Sequence, residues 1–365
     1  MRKKLALSAV SILITLLFAE IALRILGIGA IGRGSAWFAG GNHPRFLFQP
    51  DPASGYTLRP GFQGQEIAQS KEFDVPVVVD GQGLRAQPHT APPEPRILVT
   101  GDSMTFGEGV PADSTYSAVL ERTLGARVDN AGVPGYSSAQ MAGRLRRLLP
   151  LLHPRVVVMT LSPTWDLGRC ASPFVYKGGY IVGQGYVDRL ILLDGNLYLR
   201  ETKLPVLGTA TAYAERYSNL ARLALPSLAD AARKAIHKST RPEVTTATDV
   251  EPTARNLQEA QRLASQAGAA FLAVMIDDRG SEFRQDRDLL QARLQQLGIP
   301  WVAADDLIPS ARWPRLRYPV DTHWNAAGHR AMGEALAPRI RQLLAAPPPG
   351  SAENPPAGPA ASPPA

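Results

Sequence analysis

Three side chains of this 365-residue sequence have the types and the order that nucleophilic catalysis requires. Ser103 lies in Gly101-Asp102-Ser103, directly after the apolar run at residues 97–100. In an α/β protein, a serine is exposed where a buried strand passes into a loop and a helix. It becomes a nucleophile when a base removes its proton and backbone N–H groups hold the resulting oxyanion.

The base and its partner are predicted in residues 318–329, just before the last helical pattern. Asp321 and His323 are two residues apart, so in an extended segment both side chains leave the same face. A carboxylate that accepts from one imidazole nitrogen leaves the other nitrogen free as the base. We therefore expect the catalytic order Ser103, Asp321, His323. Taken singly, the first motif also fits a turn, and the second fits a helix cap beside a surface histidine.

A third group of residues lies between these two motifs, in Asn130-Ala131-Gly132-Val133-Pro134-Gly135. With these blocks the chain resembles the SGNH/GDSL hydrolases over about residues 96–345. The resemblance implies a three-layer α/β/α sandwich with a mainly parallel sheet, and a serine esterase or O-acyltransferase activity. It also implies that the N–H groups of Ser103 and Gly135 line the oxyanion hole, with Gly132 as the alternative to Gly135.

The block after the third strand departs from that family. The family carries Gly-x-Asn-Asp, whose asparagine donates to the oxyanion, whereas this chain has Ser162-Pro163-Thr164-Trp165-Asp166. Alignment on the aspartate puts Trp165 at the asparagine position, and counting from the strand puts Thr164 there. A hydroxyl or an indole N–H can donate in its place. Losing one such donor costs about 10²–10³ in rate, so the departure bears directly on activity.

The last block also departs from the commonest family form, because Val320 stands three residues before His323, where that form has its aspartate. Asp-x-His-Trp is instead similar to the block of the alginate-type O-acetyltransferases. This resemblance implies an acylated glycan of the cell envelope as the substrate. The predicted partner is therefore an acylated carbohydrate or another ester, and protein partners are not indicated.

The N-terminus has the composition of a membrane helix. Arg2, Lys3 and Lys4 precede an apolar stretch, and a helix over residues 5–23 would be roughly 28 Å long, close to the ~30 Å of a bilayer core. We interpret residues 1–33 as an uncleaved anchor with a cytoplasmic N-terminus and a periplasmic or extracellular catalytic domain. The alternative is a signal sequence and a secreted protein. Leu17, at the −3 position of a cleavage site after Ala19, argues against cleavage.

The remaining pattern divides the chain into an N-terminal β-rich extension, a βα domain and a tail. The extension covers residues 34–95 and the domain covers 96–346, with an insertion at about 168–251 and a hairpin turning at Asp194-Gly195. Residues 347–365 are rich in proline and are expected to be disordered. The predicted strands lie at 96–100, 127–130, 155–161, 269–276 and 300–303. The predicted helices lie at 116–124, 139–152, 253–267, 283–297 and 326–344.

In such a parallel sheet, ligands bind beyond the carboxyl ends of the strands, where Ser103, Gly135 and Thr164 or Trp165 fall. The formal net charge of +7 has no basic run interleaved with aromatic residues, so no nucleic-acid partner is predicted. One Asp-x-His cluster is too few ligands for a metal, and no cofactor is predicted. His329, on the helical turn after Asn325, is expected on the helix surface.

The sequence therefore favours a membrane-anchored, exported serine esterase or O-acyltransferase that acts on ester-linked acyl groups of a cell-envelope glycan. The alternative is a catalytically degenerate SGNH domain that binds polysaccharide or scaffolds an envelope assembly.

Overall fold

The structure of the protein is a computed structural model. It describes residues 2–26, 36–40, 47–68, 70–163, 167, 174–177, 180–183, 189–193, 196–202, 210–211, 213–214, 217–221, 223–225, 250–276 and 284–349. Three predicted features lie outside these ranges: the candidate donors Thr164 and Trp165, the hairpin turn at Asp194-Gly195, and the tail from residue 350 onwards.

The strands, numbered in chain order, are β1 (Ala36–Gly40), β2 (Phe48–Asp51), β3 (Gly55–Leu58), β4 (Gln63–Ala68), β5 (Asp74–Val78), β6 (Arg96–Thr100), β7 (Arg127–Asn130), β8 (Val156–Leu161), β9 (Phe174–Lys177), β10 (Tyr180–Gly183), β11 (Arg189–Leu193), β12 (Asn196–Thr202), β13 (Ala270–Met275) and β14 (Trp301–Ala303). The helices numbered here are α1 (Arg2–Ile25), α2 (Ser103–Phe106), α3 (Tyr116–Leu124), α4 (Ser138–Leu152), α5 (Glu251–Gln266), α6 (Arg284–Gln296), α7 (Ala304–Leu307) and α8 (Ala326–Ala345).

The central sheet has five strands in the order β14-β13-β8-β6-β7, and every neighbouring pair is parallel. The predicted parallel sheet is confirmed, and the predicted strands and helices of the domain end within two residues of the observed ones. These strands follow from runs of β-branched and aliphatic residues separated by amphipathic helices, a pattern typical of sheets buried on both faces.

Alternation along the strands places helices on both sides of the sheet. In β8, Val157 and Met159 contribute to one core cluster with residues of α4 and α5, while Val156 and Val158 contribute to a second cluster with residues of α3 and α8. Complete burial of each such side chain stabilises the fold by about 1.5–3 kcal/mol. The three-layer α/β/α arrangement is the result.

The chain before β6 forms antiparallel structure that shares the first of these cores. Strands β2 and β3 pair as a hairpin, and β1, β4 and β5 form a three-stranded sheet. Phe48, Tyr56 and Leu58 are buried in the same cluster as the residues of α4. The N–H of Arg85 donates to the carbonyl of Asn130 at 3.0 Å, which fastens the end of this segment to β7.

Within residues 168–251, strands β9 to β12 form an antiparallel sheet in sequential order, and β11 with β12 confirms the predicted hairpin. The N-terminal helix α1 includes a stretch, Ala6–Ile25, long and apolar enough to cross a membrane; a signal sequence has the same properties. Near its end, the Glu20 carboxylate accepts hydrogen bonds from the N–H groups of Asn219 and Leu220 at 3.0 and 2.9 Å.

Candidate active site

The loop after β6 presents Ser103 at the carboxyl end of the central sheet. Ser103 is the first residue of the short helix α2, and the Asp102 carboxylate caps it by accepting from the N–H of Met104 at 2.9 Å. Gly101 has no room for a side chain, since a Cβ there would lie 2.8 Å from the carbonyl oxygen of Thr160. The close approach of the two backbones therefore fixes the serine at the strand end.

Ser103, His323 and Asp321 form a continuous hydrogen-bonded chain. The Nε2 of His323 lies 2.9 Å from the Oγ of Ser103, and its Nδ1 lies 2.5 Å from an Oδ1 of Asp321. Because a carboxylate only accepts, Nδ1 carries the proton in the neutral imidazole, and Nε2 is then left to accept from the serine hydroxyl. The structure thus brings together the three residues that the sequence predicted.

The backbone around Asp321 and His323 is a turn, so the prediction of an extended segment was wrong. Thr322 has a φ of +75°, its N–H donates to the carbonyl of Tyr318 at 3.1 Å, and the N–H of Tyr318 donates to the carbonyl of His323 at 2.9 Å. A left-handed threonine costs about 1–3 kcal/mol, which the surrounding contacts must offset. The helix cap is Asn325, whose side chain accepts from the N–H of Gly328.

Of the two glycines considered for the oxyanion hole, Gly132 has an N–H group that already donates a hydrogen bond within the protein. Its N–H donates to the Oδ1 of Asn130 at 3.0 Å, and a Cβ on it would lie 2.2 Å from the backbone nitrogen of Phe106. Gly135 has a φ of +77°, and no acceptor for its N–H is found among the residues that the structure describes. This makes Gly135 the better candidate donor, as the resemblance to the SGNH/GDSL hydrolases implied.

A family model for the GDSL-like Lipase/Acylhydrolase family matches residues 99–331, which is more than half of the chain. The chain belongs to this family. The match begins within β6 and ends within α8, so it includes Ser103, Gly135, Asp321 and His323. Membership of a lipase/acylhydrolase family supports an esterase or acylhydrolase.

Solved structures of the same kind are similar to this GDSL-like chain. One is the psychrotrophic esterase EstA from Pseudoalteromonas sp., inhibited by monoethylphosphonate, with 12% identity and a TM-score of 0.39 over 69% of this chain and 99% of that one. Another is a lipase/acylhydrolase from Enterococcus faecalis, with 14% identity and a TM-score of 0.36 over 68% and 95%. A third is a carbohydrate esterase family 2 enzyme with a carbohydrate binding domain from Corynascus thermopiles, with 17% identity and a TM-score of 0.39 over 72% and 70%. No curated protein matches the sequence.

Trp324 and His329 of the GDSL-like domain lie in the core beneath the Asp321–His323 turn. Trp324 is fully buried, with its ring stacked on that of Trp313 at 5.7 Å between centroids. His329 is also buried, so its predicted surface position was wrong; its Nδ1 accepts from the N–H of Tyr116 at 3.2 Å. Burial lowers the pKa of His329 to about 3 and keeps it neutral. These aromatic contacts hold the end of the turn in place.

A buried cluster of charged residues, missed by the sequence analysis, adjoins the reacting nitrogen of His323. An Oε2 of Glu108 lies 3.7 Å from His323 Nε2, and the side chain of Glu108 is 8% exposed. Glu66 and Arg85 are buried close by, and the guanidinium of Arg85 donates to the carbonyl of Val110 at 2.9 Å. The signal in the sequence was an acidic residue directly after Phe106-Gly107, inside a loop that is otherwise apolar.

These charges change the protonation of the base. Burial alone lowers the pKa of His323, but the Glu108 and Asp321 carboxylates outweigh it and raise the pKa to about 9. Burial raises the pKa of Glu66, with repulsion from Glu108 adding to it, and burial raises the pKa of Glu108, with repulsion from Asp321 adding to it. Glu108, Asp321 and His323 also bring one potential metal ligand atom each to within 4.8 Å of one another. Both ring nitrogens of His323 lie within hydrogen-bonding distance of a protein group, Asp321 on one side and Ser103 on the other.

The residues before β6 contact three loops of the site, those that carry Gly109, Pro134 and Asp321, although they lie outside the family match. The carboxylate of Glu66 accepts from the N–H of Gly109 at 3.1 Å. The carboxylate of Glu72 accepts from the N–H groups of Val320 and Asp321 at 3.0 and 2.8 Å. The hydroxyl of Tyr56 donates to the carbonyl of Pro134 at 2.9 Å. Sequence patterns gave no sign of these contacts, because each joins a side chain to a distant backbone group.

Proposed function

We propose that this protein is a membrane-anchored, exported serine esterase or O-acyltransferase, with Ser103 as nucleophile, His323 as general base and acid, and Asp321 as the carboxylate that orients the histidine. The observation that carries the proposal is the hydrogen-bonded chain of 2.9 Å from Ser103 to His323 and 2.5 Å from His323 to Asp321. Membership of an acylhydrolase family supports the choice of an ester as substrate.

In the first half of the reaction, the Oγ of Ser103 attacks the ester carbonyl carbon while its proton passes to Nε2 of His323. The Asp321 carboxylate stabilises the imidazolium that forms. The carbonyl oxygen becomes an oxyanion, held by the N–H groups of Ser103 and Gly135, with Thr164 or Trp165 as the third donor. His323 then gives its proton to the departing alcohol, and the acyl group remains on Ser103.

In the second half, a hydroxyl compound enters and loses its proton to His323 as its oxygen attacks the acyl carbon. Water as that compound gives hydrolysis, and a sugar hydroxyl gives acyl transfer. Both halves pass through an oxyanion at the same place. The Gly135 N–H therefore contributes twice in each turnover.

The proposed substrate is an ester-linked acyl group on a cell-envelope glycan. The likeness of Asp321-Thr322-His323-Trp324 to the block of alginate-type O-acetyltransferases supports a glycan. The apolar helix α1 with its basic N-terminal flank supports anchoring with the domain on the outer side. The leucine at the −3 position of a cleavage site after Ala19 supports retention of the helix.

The experiment that tests the proposal is labelling of the full-length protein in detergent with a fluorophosphonate, followed by mass-spectrometric mapping. We expect modification at Ser103, loss of labelling in Ser103→Ala, and strong slowing in His323→Ala because the base is absent. Ser310→Ala, at an exposed serine away from the site, is the matched control and should label normally. Modification elsewhere in the folded protein would contradict the proposal.

A second candidate function rests on Thr164 and Trp165, which stand where the family carries its asparagine donor. In that case the domain binds an acylated polysaccharide or scaffolds an envelope assembly without turnover. A folded protein that retains glycan binding, yet fails to react with the fluorophosphonate or to hydrolyse p-nitrophenyl acetate, would favour this second function.

A further inference from the structure

The peptide bond between Pro134 and Gly135 carries a hydrogen bond on the side opposite its N–H. The Tyr56 hydroxyl donates to the Pro134 carbonyl oxygen at 2.9 Å, and the bond is buried. In a planar trans peptide, the carbonyl of one residue and the N–H of the next point in opposite directions. A donor fixed on the Pro134 oxygen therefore also fixes the direction of the Gly135 N–H.

Tyr56 is itself held firmly. Its ring lies edge-on between Phe48 and Tyr136, with centroid distances of 5.5 and 5.3 Å. Its backbone carbonyl accepts from the hydroxyl of Tyr136, the residue directly after Gly135. The strand that carries Tyr56 and the loop that carries Gly135 are thus linked in both directions, and neither can shift without disturbing the other.

The same hydroxyl leaves no space for an alternative loop conformation. A Cβ built on Gly135 would lie 2.8 Å from the Tyr56 Oη, and Gly135 has a φ of +77°. A rotation of the peptide plane would turn the Pro134 oxygen away from Tyr56 and break this buried hydrogen bond, which costs free energy. The hydroxyl also polarises the amide, because hydrogen bonds in a chain strengthen one another in a low-dielectric interior.

We propose that Tyr56, which lies outside the residues matched by the family model, is a positioning residue that holds the Pro134–Gly135 peptide so that the Gly135 N–H is preorganised for the oxyanion. This inference rests on the proposed function, since it assigns a role in stabilising the same oxyanion. It extends the active site into the β2–β3 hairpin, whose residues touch no reacting atom.

The test is Tyr56→Phe in the full-length protein, with p-nitrophenyl acetate as substrate. We expect kcat and kcat/KM to fall together by about 10-fold with little change in KM, because the affected hydrogen bond forms only with the oxyanion. The loss is smaller than the ~10²–10³ of a deleted donor, since the N–H itself remains. The rate of fluorophosphonate labelling should fall by a similar factor.

The control is Thr123→Val, which likewise removes a hydroxyl that donates to a backbone carbonyl, that of Val119 within α3 at 2.8 Å, but takes nothing from the Tyr56 and Pro134–Gly135 contacts. Its kcat should stay near that of the parent, and thermal unfolding of both variants should show similar small losses of stability. Equal losses of kcat in the two variants, or an unchanged kcat in Tyr56→Phe, would overturn the inference. If Ser103→Ala is inactive at the same time, the proposed function stands; activity in Ser103→Ala would overturn both.

Discussion

Residues 96–345 and residues 47–95 contribute to the same site in different ways. The first region carries Ser103, Asp321 and His323, which are proposed to react. The second carries none of these, yet its side chains accept from or donate to the backbone of each loop on which the reacting groups lie. The chemistry belongs to one region, and the positions of its loops depend on both.

The physical reason is that the three loops leave the sheet and helices before they reach the site. Many of their N–H and C=O groups lie outside regular secondary structure, and buried backbone groups need hydrogen-bond partners. The segment before β6 supplies partners through Tyr56, Glu66 and Glu72. Its hairpin also shares a hydrophobic core with α4, so it cannot detach without exposing that core. Variants in the two regions should therefore differ in kind as well as in size.

The largest effect is expected from the region that carries the reacting groups. Asp321→Asn keeps the size of the side chain but favours the wrong tautomer of His323, so that Nε2 carries a proton and cannot accept from Ser103. We expect kcat to fall by about 10⁴-fold with a folded protein. Hydrolysis of p-nitrophenyl acetate measures the loss, and circular dichroism checks the fold. A loss below 10-fold would show that Asp321 does not orient the base.

The next effect is expected from the supporting segment. Glu72→Ala removes the acceptor for the N–H groups of Val320 and Asp321, which hold the turn at the strained Thr322. We expect kcat to fall by about 10-fold and stability by about 1–2 kcal/mol. Steady-state kinetics and urea unfolding measure the two effects.

The control for that variant is Glu94→Ala, an exposed carboxylate at the other end of the same segment. It should leave both quantities unchanged. If Glu72→Ala loses stability but keeps its kcat, the contact supports the fold alone. Glu72 would then have no part in positioning Asp321 and His323 for the reaction.

A smaller effect concerns pH. His323 must be neutral to act as a base, and its pKa is raised to about 9. The value of kcat/KM should therefore rise with pH and level off above about 9. Glu108→Gln removes a negative charge 3.7 Å from Nε2 and should lower the apparent pKa by about one unit. The maximal rate should also fall, because the carboxylate stabilises the imidazolium that forms during reaction. A pH profile with an unchanged midpoint would contradict this.

The smallest effect is expected from Glu66→Gln, the corresponding change in the supporting segment. Glu66 also raises the pKa of His323, but by less than Glu108 and Asp321 do. The midpoint of the pH profile should therefore move in the same direction by only a few tenths of a unit. A larger shift than that of Glu108→Gln would show that Glu66, and not Glu108, contributes more to the raised pKa of His323.

Much of the fold could be predicted from the sequence because its causes are local. Apolar runs and amphipathic periods fixed the strands and helices of the domain to within two residues. Prediction failed where distant packing decides. His329 has the spacing of an exposed helical residue, but it is buried against Tyr116. The left-handed residue of the turn is Thr322 and not a glycine, so the sequence gives no sign of this backbone conformation.

The candidate site divides in the same way. Ser103, Asp321, His323 and Gly135 could be named because their motifs are short and lie within single loops. The choice of Gly135 over Gly132 gained support from the bond between the Gly132 N–H and Asn130, a contact visible only in three dimensions. Motifs alone could not single out Tyr56, which contacts a backbone carbonyl 78 residues away.

The sequence by itself determined which groups are present and in what order, because side-chain chemistry and hydrophobic periodicity are properties of neighbouring residues. The tertiary structure decided their distances and protonation. Ser103 and His323 are 220 residues apart, and their 2.9 Å contact exists only because sheet, turn and supporting segment close around them. The pKa of His323 likewise depends on the charges of Glu108, Asp321 and Glu66, which folding buries together.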